Sequence, residues 1–221
     1  MTAQQPQTLT PGFVLHARPF RETSRILELA TRDAGRIAVL ARGRGGSLRP
    51  FVLLDLAWRG RGELPSLTTG EERRAYPLSG RCMICALYLN ELVLKLIPRD
   101  ARVGELVTIL ERAYVGLLGA GRPEDTLRAA EWSLLSLLDT GLEHLGGGEF
   151  SEDRSYCYQP DAGLSEAVDE RTPGAVSGAV LRALATGEGV PDNAHRAARD
   201  FMRRLIDDHL EGREVLTRRL L

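Results

Sequence analysis

Short stretches of alternating hydrophobic and polar residues fill the first eighty positions of the chain. Between Phe51 and Arg59, every second residue from Val52 to Trp58 is hydrophobic, and Asp55 lies on the opposite face. Because side chains alternate across a strand, this pattern predicts half-buried β-strands. Five such strands predict a small barrel of the OB type, and alternation alone also fits an SH3-like barrel or a sandwich. The predicted strands cover residues 13–18, 24–31, 36–42, 51–59 and 63–69.

The same alternation assigns faces within the first strand. Phe13, Leu15 and Ala17 are expected on one face, with His16 and Arg18 on the other.

Longer periodic segments predict helices after residue 78. Ser79 is a suitable N-cap for an apolar segment that ends at Pro98, which predicts a buried central helix. Further helices are predicted at about 102–118, 123–139, 173–186 and 193–210, with a short one from Arg213. Residues 141–172 lack periodicity and are predicted to form a long loop or a degenerate small module. The whole pattern predicts an α+β chain, with an N-terminal OB-fold β-barrel at 1–78 and an all-helical domain at 79–221.

The net charge of −1 divides unevenly along the chain. Residues 1–80 carry 12 arginines against 7 acidic residues, a net charge of +5. The remaining residues carry 17 Lys and Arg against 23 acidic residues, a net charge of −6. This asymmetry indicates that the N-terminal half faces a polyanion.

Several classes of protein are disfavoured by the sequence. It contains no phosphate-binding GxxxxGK[ST] motif, no HExxH motif and no nucleophile elbow, so an enzyme is not expected. The CxxC pair Cys82 and Cys85 falls within an apolar helix and is interpreted as core rather than as a zinc site. No apolar run approaches the ~20 residues of a membrane span, and no signal peptide is visible. With an odd number of cysteines, these features predict a cytoplasmic protein that has no membrane contact.

Arginines of the barrel segment are the strongest functional signal. A glycine-rich connector at 43–50 that carries guanidinium groups can follow a phosphate backbone without reading its bases. Arg36 and Arg42 are six residues apart on one strand and are expected to point the same way. An ordinary solvated face is the alternative interpretation. The predicted DNA-binding residues are Arg18, Arg25, Arg36, Arg42, Arg44 and Arg49.

A second candidate surface lies on the predicted third helix. Arg128, Trp132 and Leu135 have the i, i+4, i+7 spacing that places them on one helix face. A cation beside aromatic and aliphatic groups is suited to an acidic peptide tail that ends in a hydrophobic residue. The alternative is that Trp132 and Leu135 belong to the core.

Several segments of the chain together resemble the RecO family of bacterial DNA repair proteins. The most specific is Leu-Tyr-Leu-Asn-Glu-Leu at 87–92, and the similarity is densest over residues 12–97. Other resembling segments are those at 13–24 (FVLHARPFRETS), 35–43 (GRIAVLARG), 49–51 (RPF), 60–64 (GRGEL) and 77–80 (PLSG). Leu127 and Arg128 with Glu131, and the end segment at 216–220 (LTRRL), also resemble the later helices of the family.

This resemblance implies a non-catalytic recombination mediator in the cytoplasm, associated with the nucleoid. It implies binding to single- and double-stranded DNA, annealing of complementary strands and, with RecR, loading of RecA onto strands coated by single-stranded-DNA-binding protein (SSB). It also implies that the acidic SSB C-terminal tail docks on the helical domain, where Arg128 matches the position facing the tail carboxylates.

The chain departs from the family pattern at three places. The loop after Gly43 is short and has no run of lysines, and Ala129 and Ala130 replace bulkier residues. In 141–172, where many relatives bind zinc with four cysteines, only Cys157 is present, so no metal and no cofactor are expected. Two alternatives stay open: an SSB and RecR interaction scaffold with weak or no DNA binding, and an RNA-binding OB protein.

Overall fold

A computed structural model describes residues 8–43, 48–99, 101–138, 150–160, 163–168 and 172–221. The contacts divide the chain into two compact units, residues 1–118 and residues 119–221.

The first unit contains a closed five-stranded barrel with the strand order β1-β2-β3-β5-β4. All neighbouring strands are antiparallel except β3 and β5, which pair in parallel at Leu40 and Ser66. This confirms the OB-type barrel predicted from the alternation. The strands are β1 (Thr10–Phe20), β2 (Ser24–Thr31), β3 (Gly35–Arg42), β4 (Val52–Arg59) and β5 (Ser66–Ala75).

The predicted faces hold for β3 and β4, and the prediction for β1 is wrong. Val14 and Ala17 point into the barrel core, whereas Phe13 packs its ring edge against Tyr114, 5.1 Å between centroids, outside that core. This difference from the predicted faces is caused by a β-bulge in β1. The bulge is seen as a shift in the pairing register of β1 with β2 between Val14 and His16. One extra residue in the strand reverses the alternation beyond it.

The fifth strand also begins and ends later than its predicted range of 63–69. It starts at Ser66, directly after Pro65, and continues to Ala75. Proline has no N–H for a strand ladder, so Pro65 belongs to the preceding turn.

Two helices, α1 (Gly80–Leu96) and α2 (Glu105–Leu118), pack with the barrel in the first unit. Asn90 on α1 donates its side-chain N–H to the Leu15 carbonyl of the bulge at 3.3 Å and accepts a hydrogen bond from the Tyr114 hydroxyl at 2.5 Å. The compact unit therefore reaches Leu118, further than the predicted barrel limit of residue 78. The division at 78 and 79 stays a prediction about domains.

The second unit combines helices with a small antiparallel sheet of order β7-β6-β8. Part of this sheet falls in the segment predicted as a loop or small module. The helix predicted from 173 starts later, because Ser177 caps it by accepting the Val180 N–H at 3.4 Å. The elements are α3 (Pro123–Leu135), β6 (Ser155–Gln159), β7 (Gly163–Glu166), β8 (Val176–Ser177), α4 (Gly178–Thr186), α5 (His195–Leu210) and a terminal 3-10 helix (Leu216–Leu220). None of the helices in the described residues has the length and apolar character needed to cross a membrane.

Candidate nucleic-acid interface

One end of the barrel is built from the β1–β2 turn and the last residues of β3. Phe20, Ser24 and Arg42 form one row across the three strands, and the Gly43 N–H donates to the Thr23 carbonyl at 2.8 Å. In the adjacent row, Arg18 lies beside Ile26, which pairs in turn with Leu40. This register fixes the side chains of Arg18 and Arg42 on the same outer face of the sheet.

Arg18 and Arg42 are both exposed. Their Cα atoms are two inter-strand spacings apart across the sheet and two residues apart along it, about 12 Å at ordinary sheet spacings. Neither guanidinium forms an ion pair with a carboxylate among the described residues. Both charges are therefore available to an anion from solution.

The β1–β2 turn adds an arginine that is not among the predicted DNA-binding residues. Arg21 has a φ of 56° at the tip of the turn, and its guanidinium lies 5.3 Å from the centroid of the Phe20 ring. A cation stacked on an aromatic face is held in place with little loss of exposure. The signal in the sequence was the adjacent Phe20-Arg21 pair in a short turn between two strands.

The connector after β3 brings further positive charge to this end. Arg25 lies on the inward-facing side of β2, where it is half-buried and donates to the Leu48 carbonyl at 3.5 Å. Arg49, which follows directly, is exposed. Arg44 lies outside the described residues. We refer to Arg18, Arg21, Arg42 and Arg49 as the cationic end.

Arg36 does not belong to this surface, and its prediction as a DNA contact is corrected. Its guanidinium donates to the Leu94 carbonyl at 2.8 Å and to the Ile97 carbonyl, and it pairs with Glu28 at 3.3 Å. The carbonyls at a helix C-terminus have no partners within the helix, so a cation there completes α1. With 12% of its side chain exposed, Arg36 serves the packing of α1 on the barrel.

Glu28 is the acid at the centre of this internal cluster. It accepts hydrogen bonds from Arg36 and from Arg99, the residue that follows Pro98 beyond α1. Burial raises the pKa of the Glu28 carboxyl, but the hydrogen bond from Arg99 and the positive charges of Arg36 and Arg99 outweigh it and lower the pKa. The ionised carboxylate is therefore the form that the fold holds.

The second candidate surface is also corrected, because the face shared by Arg128, Trp132 and Leu135 points into the second unit. Trp132 is 5% exposed and meets Phe150 edge to face, while Leu135 is fully buried. Arg128 pairs with the buried Glu131 at 2.7 Å. A stripe of this kind at helical spacing is core.

Comparison with known proteins extends over both units. The family model described as "Recombination protein O N terminal" matches residues 4–76. "DNA repair protein RecO" of Pseudomonas paraeruginosa is 39% identical over 217 residues, covering 94% of this chain and 92% of that protein. The proteins of the same name from Halorhodospira halophila and Nitrosococcus oceani are 36% and 35% identical, covering 95% and 96% of this chain and 94% and 92% of the relatives.

The chain belongs to the RecO family.

Within this RecO family member, charge follows the division into compact units. Residues 1–118 carry 17 Lys and Arg against 11 acidic residues, a net charge of +6. Residues 119–221 carry 12 against 19, a net charge of −7. The unit that contains the cationic end is therefore positive as a whole, which favours the approach of a polyanion to it.

Potential metal ligands lie apart from one another in the described part of this RecO family member. Among the described residues, no three His, Cys, Asp or Glu side chains come together in a way that would hold a metal ion. Cys85 and Cys157 are buried, Cys82 is half-buried, and none of the three is in a disulfide bond. Part of the predicted zinc-less insert lies outside the described residues, so the expectation that the chain binds no metal stays a prediction.

Proposed function

We propose that this chain is a non-catalytic mediator of recombinational DNA repair that binds single- and double-stranded DNA through the cationic end of its barrel. Membership of the RecO family supports the role in repair and recombination. The observation that supports DNA contact is the set of exposed guanidinium groups around one barrel end. In the described part of the chain, Arg18, Arg21 and Arg42 have no carboxylate partner.

Contacts of this kind hold phosphates and carry no base information, so the binding has little sequence preference. Two complementary strands held on one positive surface meet at a raised local concentration. Annealing then proceeds through base pairing alone and needs no covalent step. This accounts for strand annealing without a catalytic residue.

The proposed partners are RecR and the SSB C-terminal tail, through which the protein would help to load RecA on SSB-coated strands. Family resemblance supports both partners. Because Trp132 and Leu135 are core residues, we assign no pocket lining to the SSB tail.

A scaffold for SSB and RecR with weak DNA binding is the second candidate function. It is favoured by the net charge of −7 on residues 119–221, which repels DNA from that unit. The scaffold would bind an SSB tail peptide and would not change the mobility of DNA in a gel-shift titration.

The experiment that tests the proposal is a titration of labelled single strands and duplexes of equal length, followed by fluorescence anisotropy. The test variant is Arg18→Glu with Arg42→Glu. The matched control carries the same type of charge reversal at Arg32, which is exposed in the β2–β3 turn.

We expect the double variant to bind both DNAs at least tenfold more weakly and the Arg32→Glu control to stay within about threefold of wild type. The double variant changes the net charge by about four units and the control by about two, so losses in that proportion would mean that only net charge matters. Unchanged binding by the double variant would move the DNA site off this barrel end.

A further inference from the structure

His16 presents an exposed imidazole beside the cationic end without being part of it. The ring makes no hydrogen bond and no ion pair with a described residue. The other described histidines have partners. The Nδ1 atom of His195 lies 3.6 Å from an oxygen of Asp125. The Nδ1 atom of His209 lies 2.8 Å from the carbonyl oxygen of Leu205. His16 is therefore the one described histidine whose ring is open to a ligand from solution.

The bulge in β1 is what directs this ring outward. Val14 points into the barrel core, and in a regular strand the residue two positions later would point inward as well. Because the pairing register shifts between Val14 and His16, the imidazole leaves the core side. Asn90 donates to the carbonyl of Leu15, the residue before it, at 3.3 Å. The backbone next to His16 is thus held by α1 while the ring stays exposed.

His16 and Arg18 lie on the same face of β1, and both are exposed. Two residues along a strand span about 7 Å. One strand of duplex DNA carries a charge about every 3.4 Å along the helix axis, so a strand that meets Arg18 has another phosphate within reach of His16. Arg42 lies on the same outer face at the end of β3. The imidazole therefore extends the cationic end along β1.

The carboxylate in the same row of the sheet as His16 is already held by two arginines. Glu28 pairs with His16 across β1 and β2, and it accepts hydrogen bonds from Arg36 and Arg99. Two positive charges against one leave no net negative charge in this row to cancel a charge on the imidazole. The other acid of the hairpin, Glu22, is in the β1–β2 turn, more than four residues further along, which is about 13 Å.

The helices that pack against β1 carry acids with partners of their own. On α1, Glu91 pairs with Lys95 at 3.7 Å. On α2, Glu111 accepts a hydrogen bond from the Tyr76 hydroxyl at 2.6 Å. The remaining charged residues of the two helices are exposed and sum to a charge of +1. They are Arg81, Glu105 and Arg112.

We propose that His16 binds a DNA phosphate as an imidazolium, so that DNA binding by this chain takes up a proton from the buffer. The inference rests on the proposed DNA binding and deepens it. Histidine is the side chain whose charge ordinarily changes between about pH 5 and pH 8, and an opposite charge nearby favours its charged form. A phosphate that meets Arg18 brings such a charge to His16. DNA affinity therefore rises as the pH falls through this range, whereas arginine contacts do not vary with it.

The test is the pH dependence of oligothymidine binding by the full-length protein, followed by fluorescence anisotropy of the labelled strand at constant ionic strength. Wild type is compared at about pH 6 and about pH 8 with two variants of His16. His16→Gln keeps a neutral polar side chain, and His16→Lys is charged at both pH values. His195→Gln is the matched control, because it removes a histidine of the second unit.

We expect wild type and the His195→Gln control to bind about fivefold more tightly at the lower pH, as one added surface charge contact allows. His16→Gln should lose this ratio and bind at both pH values as wild type does at the higher one. His16→Lys should bind at the higher pH about as tightly as wild type does at the lower one. The salt slope of wild type should be larger by about one at the lower pH, and that of His16→Gln should not change.

Three contrary results have distinct meanings. The same pH ratio in wild type and in His16→Gln overturns the proposal for His16 and leaves the proposed function standing. No anisotropy change with wild type at either pH overturns the proposed function, and the proposal for His16 falls with it. If circular dichroism shows that His16→Gln does not fold, His16→Lys decides alone, because a pH ratio retained in that protein overturns the proposal.

Discussion

Guanidinium groups on neighbouring barrel strands have very different surroundings. Arg36 and Arg42 lie on the same outer face of β3, as their spacing predicts. Arg36 donates to α1 carbonyls and pairs with Glu28, whereas Arg42 is exposed. Strand periodicity gives the direction of a side chain, and it contains no information about which face a distant helix covers. The sequence could therefore predict a row of arginines but could not separate a helix-completing arginine from a free one.

Replacing Arg36 tests whether this arginine stabilises the fold or contacts DNA. Arg36→Ala removes three hydrogen bonds and one partner of a buried acid, so we expect the free energy of unfolding to fall by about 2–4 kcal/mol. DNA affinity of the folded variant should stay within about threefold of wild type. Urea denaturation measures the first effect and anisotropy the second. An intact stability combined with lost DNA binding would show that Arg36 is a DNA contact after all.

Glu28 provides a pH-dependent test of the same cluster. Its pKa in the folded protein lies below the ordinary value of 4.5, so the ionised carboxylate stabilises the fold above that pH. The contribution is lost as the pH falls through the lowered pKa. We expect Glu28→Gln to be less stable than wild type at pH 7, with the difference shrinking as the pH drops below about 4. A stability difference that does not vary between pH 7 and pH 3 would contradict this account.

At the scale of elements, the β1 bulge decides how the barrel and helices fit together. The register shift between Val14 and His16 turns Phe13 out of the barrel core toward Tyr114 on α2. Strict alternation cannot show such a shift, because Phe13, Leu15 and Ala17 fit a regular strand equally well. The strands and most helix positions follow from local pattern, whereas the bulge is met by a non-local partner, since Asn90 donates to the Leu15 carbonyl.

A double-mutant cycle on Asn90 and Tyr114 tests the role of this bond network. Asn90→Ala leaves the buried Tyr114 hydroxyl without its acceptor, so we expect a loss of about 2–3 kcal/mol in the free energy of unfolding. Adding Tyr114→Phe to that variant removes the orphaned hydroxyl and should cost little more. The losses in the free energy of unfolding of the two single variants, Asn90→Ala and Tyr114→Phe, are measured by urea denaturation and should therefore not be additive. Additive losses would mean that the two side chains act independently.

The two compact units have opposite net charges at the scale of the whole molecule. The sequence already showed this asymmetry for residues 1–80, and the packing of α1 and α2 extends the positive unit to Leu118. Of the predicted contacts, Arg18, Arg42 and Arg49 are exposed at one barrel end, and Arg25 is half-buried there. Because strand pairing across the barrel creates this grouping, no single segment of the sequence contained it.

The central claim is that the cationic end holds phosphates, and the salt dependence of DNA binding tests it most directly. Each phosphate contact contributes close to one unit of slope when the logarithm of the binding constant is plotted against the logarithm of salt concentration. We predict that Arg18→Ala with Arg42→Ala lowers that slope by about 2 relative to wild type, while Arg32→Ala leaves it unchanged. A wild-type slope near zero, or an unchanged slope in the double variant, would contradict the claim.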